Sequence, residues 1–314
     1  MTNASREVMR KTGFRWPEAH RGAQPMAGLA LAMRAEAGFE NLGIPFCMTV
    51  EAEAWGGEIE VGDEITPPSV HRYCLHSVEQ WRELKPLDPY RDGRMPIVLE
   101  CTKLVREAAP DSPVIANLVG PVSLATSLMD ATILFRALRR EPAQVHQLLA
   151  FLTDTCIRYG QALLRAGADV VVISDPSATG EILGPKLFRE FTLPYLNRMI
   201  EAAHKDRAPV IMHICGNIRS IYEPLRELTA DAISVDAVVA LRSVRRALPG
   251  RKIMGNVSTL LLQTATPSRV AARAKKLIAA GMDILAPACG VSATTPLANL
   301  RAMTGVAKEL GTQS

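Results

Sequence analysis

The sequence lacks the features of a membrane protein, a nucleic-acid-binding protein and a disulfide-bonded scaffold. No apolar run reaches the roughly 18 residues of a membrane span, and the first stretch, MTNASREVMRKTG, contains no apolar core of a signal peptide. The formal net charge is only +4, from 36 Lys and Arg against 32 Asp and Glu, which gives no footprint for nucleic acid, since binding it would need a concentrated basic face. The 6 cysteines have no short paired spacing, so reduced thiols or metal ligands are favoured over disulfides. We therefore expect a cytoplasmic protein with neither a membrane nor a nucleic acid among its partners.

What the sequence does contain is a repeated alternation of strand and helix patterns. Short apolar runs end at Asp, Asn, Gly or Pro, and helical patterns separate them. The pattern that starts at Pro142 is typical, because apolar residues recur at spacings of three and four as far as Tyr159, and Gly167 marks its end. The predicted strands lie within 38–50, 112–120, 168–176, 208–216, 231–237, 251–258 and 282–290.

Strands that alternate with helices pair in parallel through right-handed crossovers. The sequence therefore predicts an α/β fold, a (β/α)8 TIM barrel that forms one domain over residues 1–314. The eighth strand that a barrel needs would fall in the first dozen residues, where the strand signal is weak. Either that strand is short or absent, or the start of the chain is incomplete. A doubly wound open sheet is the structural alternative, but no G-x-G-x-x-G loop follows a predicted strand.

Residues 51–72 interrupt the alternation. The run GGEIEVGDEI within them alternates and carries glycines, which predicts a β-hairpin insertion. Insertions that follow barrel strands lie over the mouth of the barrel, so we expect this hairpin to form part of a lid.

Polar residues stand at the ends of the predicted strands, where a barrel gathers its chemistry. His213 and Cys215 lie two apart, so both side chains face the same side of their strand. Imidazole and thiolate are zinc ligands, and Cys289 at the end of the last strand supplies a third, which leaves a fourth position for water or substrate. The alternative is a buried structural histidine beside small apolar cysteines. The other polar strand ends are Asn117, Asp175, Asp236 and Asn256.

Seven longer stretches carry patterns that are specific to one family: WPEAH (16–20), MAGLALA (26–32), GIPFCMTVEAEAWGGEIEVG (43–62), NLVGPVSLATSL (117–128), AGADVVVISDPSATGEILGPKLFREFTLPYL (166–196), HICGN (213–217) and APACGV (286–291). Through them the chain resembles the uroporphyrinogen decarboxylase superfamily over nearly its whole length, and within it the methylcobamide:coenzyme M methyltransferases. The resemblance implies a (β/α)8 barrel and a zinc ion held by His213, Cys215 and Cys289. It also implies a methylated corrinoid as methyl donor or acceptor, carried on a corrinoid protein, and a small thiol such as coenzyme M.

Two departures bear on the branch of the superfamily. The tetrapyrrole decarboxylases carry an arginine-rich RQAGRY-type segment near the N-terminus, which is absent here, and an aspartate where this sequence has Cys47. Methyltransferases often have an acid at that place too, so Cys47 departs from both patterns. The alternative activities are a tetrapyrrole decarboxylase and a methyltransferase that demethylates a substrate onto a corrinoid. The alternative outside the enzymes is a non-catalytic zinc- or corrinoid-binding protein.

Further polar residues are expected around the metal. A free thiol has a pKa near 8.5, and coordination to zinc deprotonates it. Asp175 ends a strand before Pro176 and is the first candidate for a catalytic carboxylate. Asp175, Glu53 and Asp236 are all candidates for a ligand's partner, a provisional fourth ligand or a proton acceptor, and Asn256 is a candidate for a hydrogen bond to substrate. For each carboxylate the alternative is an exposed or helix-capping role, and for Asn256 an ordinary strand end.

Overall fold

The computed structural model describes residues 4–311, and in them all seven predicted strands form one parallel sheet in chain order. A separate antiparallel pair contributes two more strands. Within the described residues the strands are β1 (Leu42–Ile44), β2 (Glu58–Glu60), β3 (Ser69–Arg72), β4 (Val114–Val119), β5 (Val170–Ser174), β6 (Val210–Ile214), β7 (Ala232–Val235), β8 (Lys252–Val257) and β9 (Ile284–Pro287). The order in the main sheet is β1-β4-β5-β6-β7-β8-β9.

Helices separate the strands, as the alternating pattern predicts. The predicted helix that starts at Pro142 runs to Arg165, buries Leu148, Leu152 and Tyr159, and is followed by Gly167 at φ +115°. The helices are α1 (Arg6–Thr12), α2 (Glu18–Arg21), α3 (Ala23–Ala37), α4 (Val50–Ala54), α5 (Met95–Ala108), α6 (Pro121–Leu128), α7 (Ala131–Arg140), α8 (Pro142–Arg165), α9 (Gly184–Phe191), α10 (Leu193–Lys205), α11 (Tyr222–Leu225), α12 (Leu241–Ala247), α13 (Thr259–Thr264), α14 (Pro267–Ala279) and α15 (Leu297–Gly311). Three short 3-10 helices lie at Val78–Glu83, Pro176–Ala178 and Arg219–Ile221.

The curled parallel sheet and its helices confirm a fold of the (β/α)8 barrel type. The chain provides seven of the eight strands within the described residues, because residues 4–41 form α1, α2 and α3 and contain no strand. β1 and β9 are consequently the two ends of the sheet order. Among the helices of residues 4–311, none is both long enough and apolar enough to cross a bilayer.

The segment 51–72 differs from its prediction at its start. Residues from Val50 to Ala54 form α4, because Ala and Glu are strong helix formers and the first turn is buried. The antiparallel pairing begins only at Glu58 and joins β2 to β3 with an irregular register. Both short strands are mostly exposed.

The interior of the sheet changes from apolar to polar towards the C-terminal ends of its strands. Val172, Ile211 and Ala232 are in register on three adjacent strands and form a buried apolar layer. Two residues further along, the same strands place Ser174, His213 and Ser234 side by side. Because residues two apart face the same side of a strand, this polar layer lies directly beyond the apolar one.

A cavity of about 380 Å³ runs along this interior. Its walls include apolar residues of the inner layer, such as Ile211 and Met254, and at the polar end His213 and Cys289. It also reaches both end strands of the sheet, at Gly43 in β1 and Leu285 in β9. Two of the three predicted metal ligands, His213 and Cys289, therefore border open space inside the barrel.

Candidate metal centre

The structure brings together the three residues that the sequence singles out as metal ligands. The imidazole Nε2 of His213 lies 2.9 Å from the sulfur of Cys215, and that sulfur lies 3.2 Å from the sulfur of Cys289. The three ligand atoms all fall within 4.8 Å of one another. Both cysteines are free thiols rather than a disulfide. One imidazole and two thiols thus converge on a single point from β6 and from the segment after β9.

The end of β6 explains how two neighbouring residues reach that point. Strand pairing ends at Ile214, and Gly216 turns the chain away with φ +73°, a conformation that side-chain-bearing residues rarely adopt. A Cβ at this glycine would also come within 3.3 Å of the Thr179 hydroxyl and 3.2 Å of the Glu181 carboxylate. The glycine after the cysteine therefore allows the loop after β5 to pack against the end of β6.

The pKa values of the two thiols shift in opposite directions. The hydrogen bond to Cys289, followed by burial, raises the pKa of Cys215, so this thiol keeps its proton. The same hydrogen bond lowers the pKa of Cys289, and His213 lowers it as well. The polypeptide alone therefore stabilises one thiolate within the cluster. This is the protonation state that a zinc ligand needs.

Ser234 on β7 completes the surroundings of the imidazole. Its hydroxyl lies 2.9 Å from Nδ1 of His213, on the side of the ring away from the sulfurs. Ser234 is not among the residues that the sequence singles out, because a serine inside a short strand carries no pattern of its own. Only the register between β6 and β7 places it beside the histidine.

Asp236 and Asn256 stand close to the cluster but outside its three ligands. The carboxylate of Asp236 accepts hydrogen bonds from the backbone N–H groups of Gly216 and Val238, each at 3.1 Å. Its charge also contributes to the raised pKa of Cys215. Asn256 is fully buried, and its amide nitrogen donates to the carbonyl oxygens of Asp236 and Val239 at 3.0 and 2.9 Å. Asn256 is predicted to hydrogen-bond substrate, but in the structure its amide nitrogen holds the loop that carries Asp236.

Asp175 lies at the end of β5, as predicted, but its carboxylate caps a helix. One oxygen accepts from the backbone N–H and the hydroxyl of Ser123 at 2.7 and 2.6 Å, and the other accepts from the N–H of Val122 at 3.3 Å. These donors belong to the first turn of α6, where a negative charge is favourable. Burial raises the pKa of Asp175 to about 6, and the hydrogen bonds from Ser123 oppose that rise. The backbone N–H of Asp175 also bonds the carbonyl of His213 at 3.0 Å.

Glu53 belongs to a second polar cluster, which lies around the segment after β1. Its carboxylate forms an ion pair with the guanidinium of Arg94, a residue that is largely buried. Arg94 also donates to the hydroxyl of Thr49 at 2.9 Å and lies 3.6 Å from the sulfur of Cys47. The acid expected at position 47 is therefore replaced by a thiol beside an arginine whose charge is already neutralised by Glu53.

The loop after β5 contains residues that the sequence analysis missed. The carboxylate of Glu181 lies 3.4 Å from the backbone N–H of Asn217, which is two residues beyond Cys215. Ser220 donates to the carbonyl oxygen of Gly180 at 3.0 Å and ties the same two loops together. The stretch SDPSATGEIL belongs to the family pattern, but nothing in the residues alone indicates that it lies against HICGN.

The chain is similar to known proteins over nearly its whole length. The family model for uroporphyrinogen decarboxylase (URO-D) matches residues 1–310. Methylcobamide:CoM methyltransferase MtbA of Methanosarcina acetivorans is 33% identical over 307 residues, which cover 97% of this chain and 90% of the relative. Methylcobamide:CoM methyltransferase MtaA of Methanosarcina barkeri is 31% identical over 312 residues, covering 96% and 89%. A solved structure described as a methyltransferase from Methanosarcina mazei has a TM-score of 0.93 at 30% identity and covers 99% of this chain and 92% of its own.

The chain therefore belongs to the uroporphyrinogen decarboxylase family. Within that family it is a methyltransferase, because relatives of that class match it over nearly its full length. The prediction of the family and of a methyltransferase rather than a decarboxylase is confirmed.

Proposed function

We propose that the protein is a zinc-dependent methyltransferase that moves a methyl group between a methylated corrinoid and a thiol such as coenzyme M. The single observation that carries the proposal is the convergence of His213, Cys215 and Cys289 within 4.8 Å. The names of the relatives support the two substrates, since both relatives are called methylcobamide:CoM methyltransferases. A corrinoid protein is the proposed carrier of the methylcobamide.

The donor set fits zinc by its chemistry. One imidazole nitrogen and two thiolate sulfurs are ligands that Zn²⁺ accepts at about 2.0–2.3 Å, so atoms within 4.8 Å of one another can touch the same ion. Three protein ligands leave a fourth position open, which is typical of catalytic zinc. A bound Zn²⁺ would act as a Lewis acid that keeps a substrate thiol deprotonated at neutral pH.

The residues around the ligands have distinct tasks in this proposal. His213, Cys215 and Cys289 hold the ion, and Asp236 is the candidate to accept the proton that a substrate thiol loses. The carboxylate of Asp236 is suited to this because it is half-buried and lies against the loop after Cys215. Asn256 keeps that carboxylate in place through the backbone on which it stands. Asp175 supports the end of β5 beside His213 and takes no part in proton transfer in this proposal.

The reaction itself is a displacement at the methyl carbon. The thiolate sulfur forms a new S–CH₃ bond while the Co–C bond breaks and its electron pair stays on cobalt, so that methyl-Co(III) becomes Co(I). The thiol proton goes to Asp236 and from there to solvent. In the reverse direction Co(I) takes the methyl group back from the thioether, and the same groups serve both directions.

The test combines metal content with methyl transfer. We expect one zinc per chain, and we expect methylcobalamin to lose its methyl group, followed by its visible spectrum, when coenzyme M or another accepted thiol is added. Cys215→Ser should lose both zinc and activity. Cys74→Ser is the matched control, because Cys74 is a half-buried free thiol outside the cluster and should leave both unchanged. A protein that holds no stoichiometric zinc even after reconstitution, or that demethylates cobalamin with none of the thiols, contradicts the proposal.

A further inference from the structure

We propose that Ser234 is a positioning residue of the metal centre. Its hydroxyl accepts the Nδ1–H of His213 and so holds the imidazole with Nε2 facing the two sulfurs. The inference rests on the proposed function, because the ring orientation matters for a metal only if the three residues bind one.

The distances define which ring nitrogen is available. Nδ1 of His213 lies 2.9 Å from the hydroxyl of Ser234, and Nε2 lies 2.9 Å from the sulfur of Cys215. The two nitrogens therefore point in opposite directions, one to β7 and one to the cysteine cluster. Only Nε2 can donate its lone pair to an ion that Cys215 and Cys289 also bind.

The protonation of the ring follows from this division. A neutral imidazole carries its proton on one nitrogen and a lone pair on the other. If the serine hydroxyl accepts from Nδ1–H, Nε2 is free to ligate; if the proton sits on Nε2, the ring cannot ligate in this orientation. Ser234 offers the oxygen that stabilises the ligating tautomer, in the way that partners of metal-bound histidines generally do.

Burial makes the serine difficult to replace. His213 is 4% and Ser234 is 5% exposed, so bulk water has little access to Nδ1. An Nδ1–H left without an acceptor at such a position costs free energy, and the ring can then rotate or change tautomer. Ser234 lines the cavity, so threonine, which adds one methyl group and keeps the hydroxyl, is the conservative replacement at this place.

The acceptor is a neutral hydroxyl and not a carboxylate. Two thiolates already balance the charge of a divalent ion, and a charged partner behind the histidine would add a third negative charge to a buried layer. A serine orients the ring without that charge.

The same layer of the sheet contains a matched control. Ser174 on β5 is in register with His213 from the other side, is 1% exposed, and its hydroxyl has no hydrogen-bond partner in the described part of the chain. The histidine is thus flanked by two buried serines of the same size, and of these two Ser234 is the one that hydrogen-bonds the ring. Replacing each by alanine removes the same atom from equivalent depths.

The experiment measures zinc affinity by competition with a chromogenic chelator on the full chain. Ser234→Ala should bind zinc about 10- to 100-fold more weakly than the wild type, whereas Ser234→Thr should restore the affinity and Ser174→Ala should leave it unchanged. The visible spectrum of the Co²⁺-substituted protein should change for Ser234→Ala and stay as in the wild type for the other two variants. This readout reports the ligand geometry and does not depend on methyl transfer.

The possible results separate this inference from the proposed function. Wild-type zinc affinity in Ser234→Ala, or an equal loss in Ser174→Ala, overturns the role of Ser234 while the zinc-dependent function stands. Selective weakening in Ser234→Ala, in a protein that transfers no methyl group, supports the positioning role and contradicts the proposed reaction. Failure of the wild type to bind zinc overturns both.

Discussion

Glu51 is a carboxyl group that the fold buries almost completely. It stands in the first turn of α4 and is 2% exposed, and one of its oxygens has no hydrogen-bond partner among the described residues. Burial raises its pKa from 4.5 to about 7, against the opposing effects of two backbone N–H groups, its own and that of Val119, and of the positive charge of Arg94. The nearby hydroxyl of Tyr159 is also buried without a partner.

The sign of the effect on stability follows from proton binding. Between pH 4.5 and about 7 the folded protein binds a proton at Glu51 that the unfolded chain releases, so stability falls as the pH rises through this range. A pKa that moves from 4.5 to about 7 corresponds to about 3 kcal/mol. This contribution is present in full below pH 4.5 and is lost once the pH exceeds the pKa of the folded state.

Glu51→Gln removes the titration and keeps the shape of the side chain. Relative to the wild type, the free energy of unfolding of the variant should rise by about 3 kcal/mol between roughly pH 4.5 and pH 8. Urea denaturation of both proteins across this range measures the difference. Glu107→Gln, an exposed position on α5, is the control and should show no comparable trend. A difference between Glu51→Gln and the wild type that stays the same at every pH would refute the reasoning.

Two further predictions concern the metal and the loop beside it. Zinc at a thousand times its dissociation constant should stabilise the fold by about 4 kcal/mol. For a chain of 314 residues this raises the unfolding temperature by about 6 °C. Cys215→Ser should lose this shift in a thermal scan, and a full shift in the variant would argue against the cluster as the binding site. Asn256→Ala should destabilise the protein by about 2–4 kcal/mol, because two carbonyl oxygens lose their donor. It should also speed amide hydrogen exchange in the loop from Asp236 to Val239, and unchanged exchange there would contradict the proposed clamp.

The strands could be predicted because they are buried on both faces. Apolar runs such as VVVIS and VIMHI satisfy a strand that packs inward against the barrel and outward against helices, so each stands out from the chain around it. The segment after β1 could not be predicted as well, since EAEA suits either an exposed strand or a helix until its burial is known. The eighth strand had no such run, and the described residues before β1 form helices.

The grouping of the three candidate metal ligands could be predicted for a similar reason. A period of two fixes that His213 and Cys215 share a face, and parallel pairing brings the end of another strand, with Cys289, to the same level. Ser234 and Glu181 depend instead on register and loop packing, which a single sequence does not encode in any local pattern. Only the distances between separate elements show that Ser234 lies beside His213 and Glu181 beside Asn217.

The carboxylates show why a polar strand end has two meanings. In a parallel barrel the C-terminal end of each strand faces the mouth, but it also lies beside the N-terminus of a following or neighbouring helix. Asp175 accepts hydrogen bonds from Ser123 and Val122 at the N-terminus of α6, whereas Asp236 accepts one from the loop that carries Cys215. Both residues end a strand as aspartates, and the sequence favours Asp175 because Pro176 follows it. The two aspartates differ in the direction of their side chains. The terminus of α6 lies within hydrogen-bond reach of Asp175, and the loop after Cys215 lies within reach of Asp236.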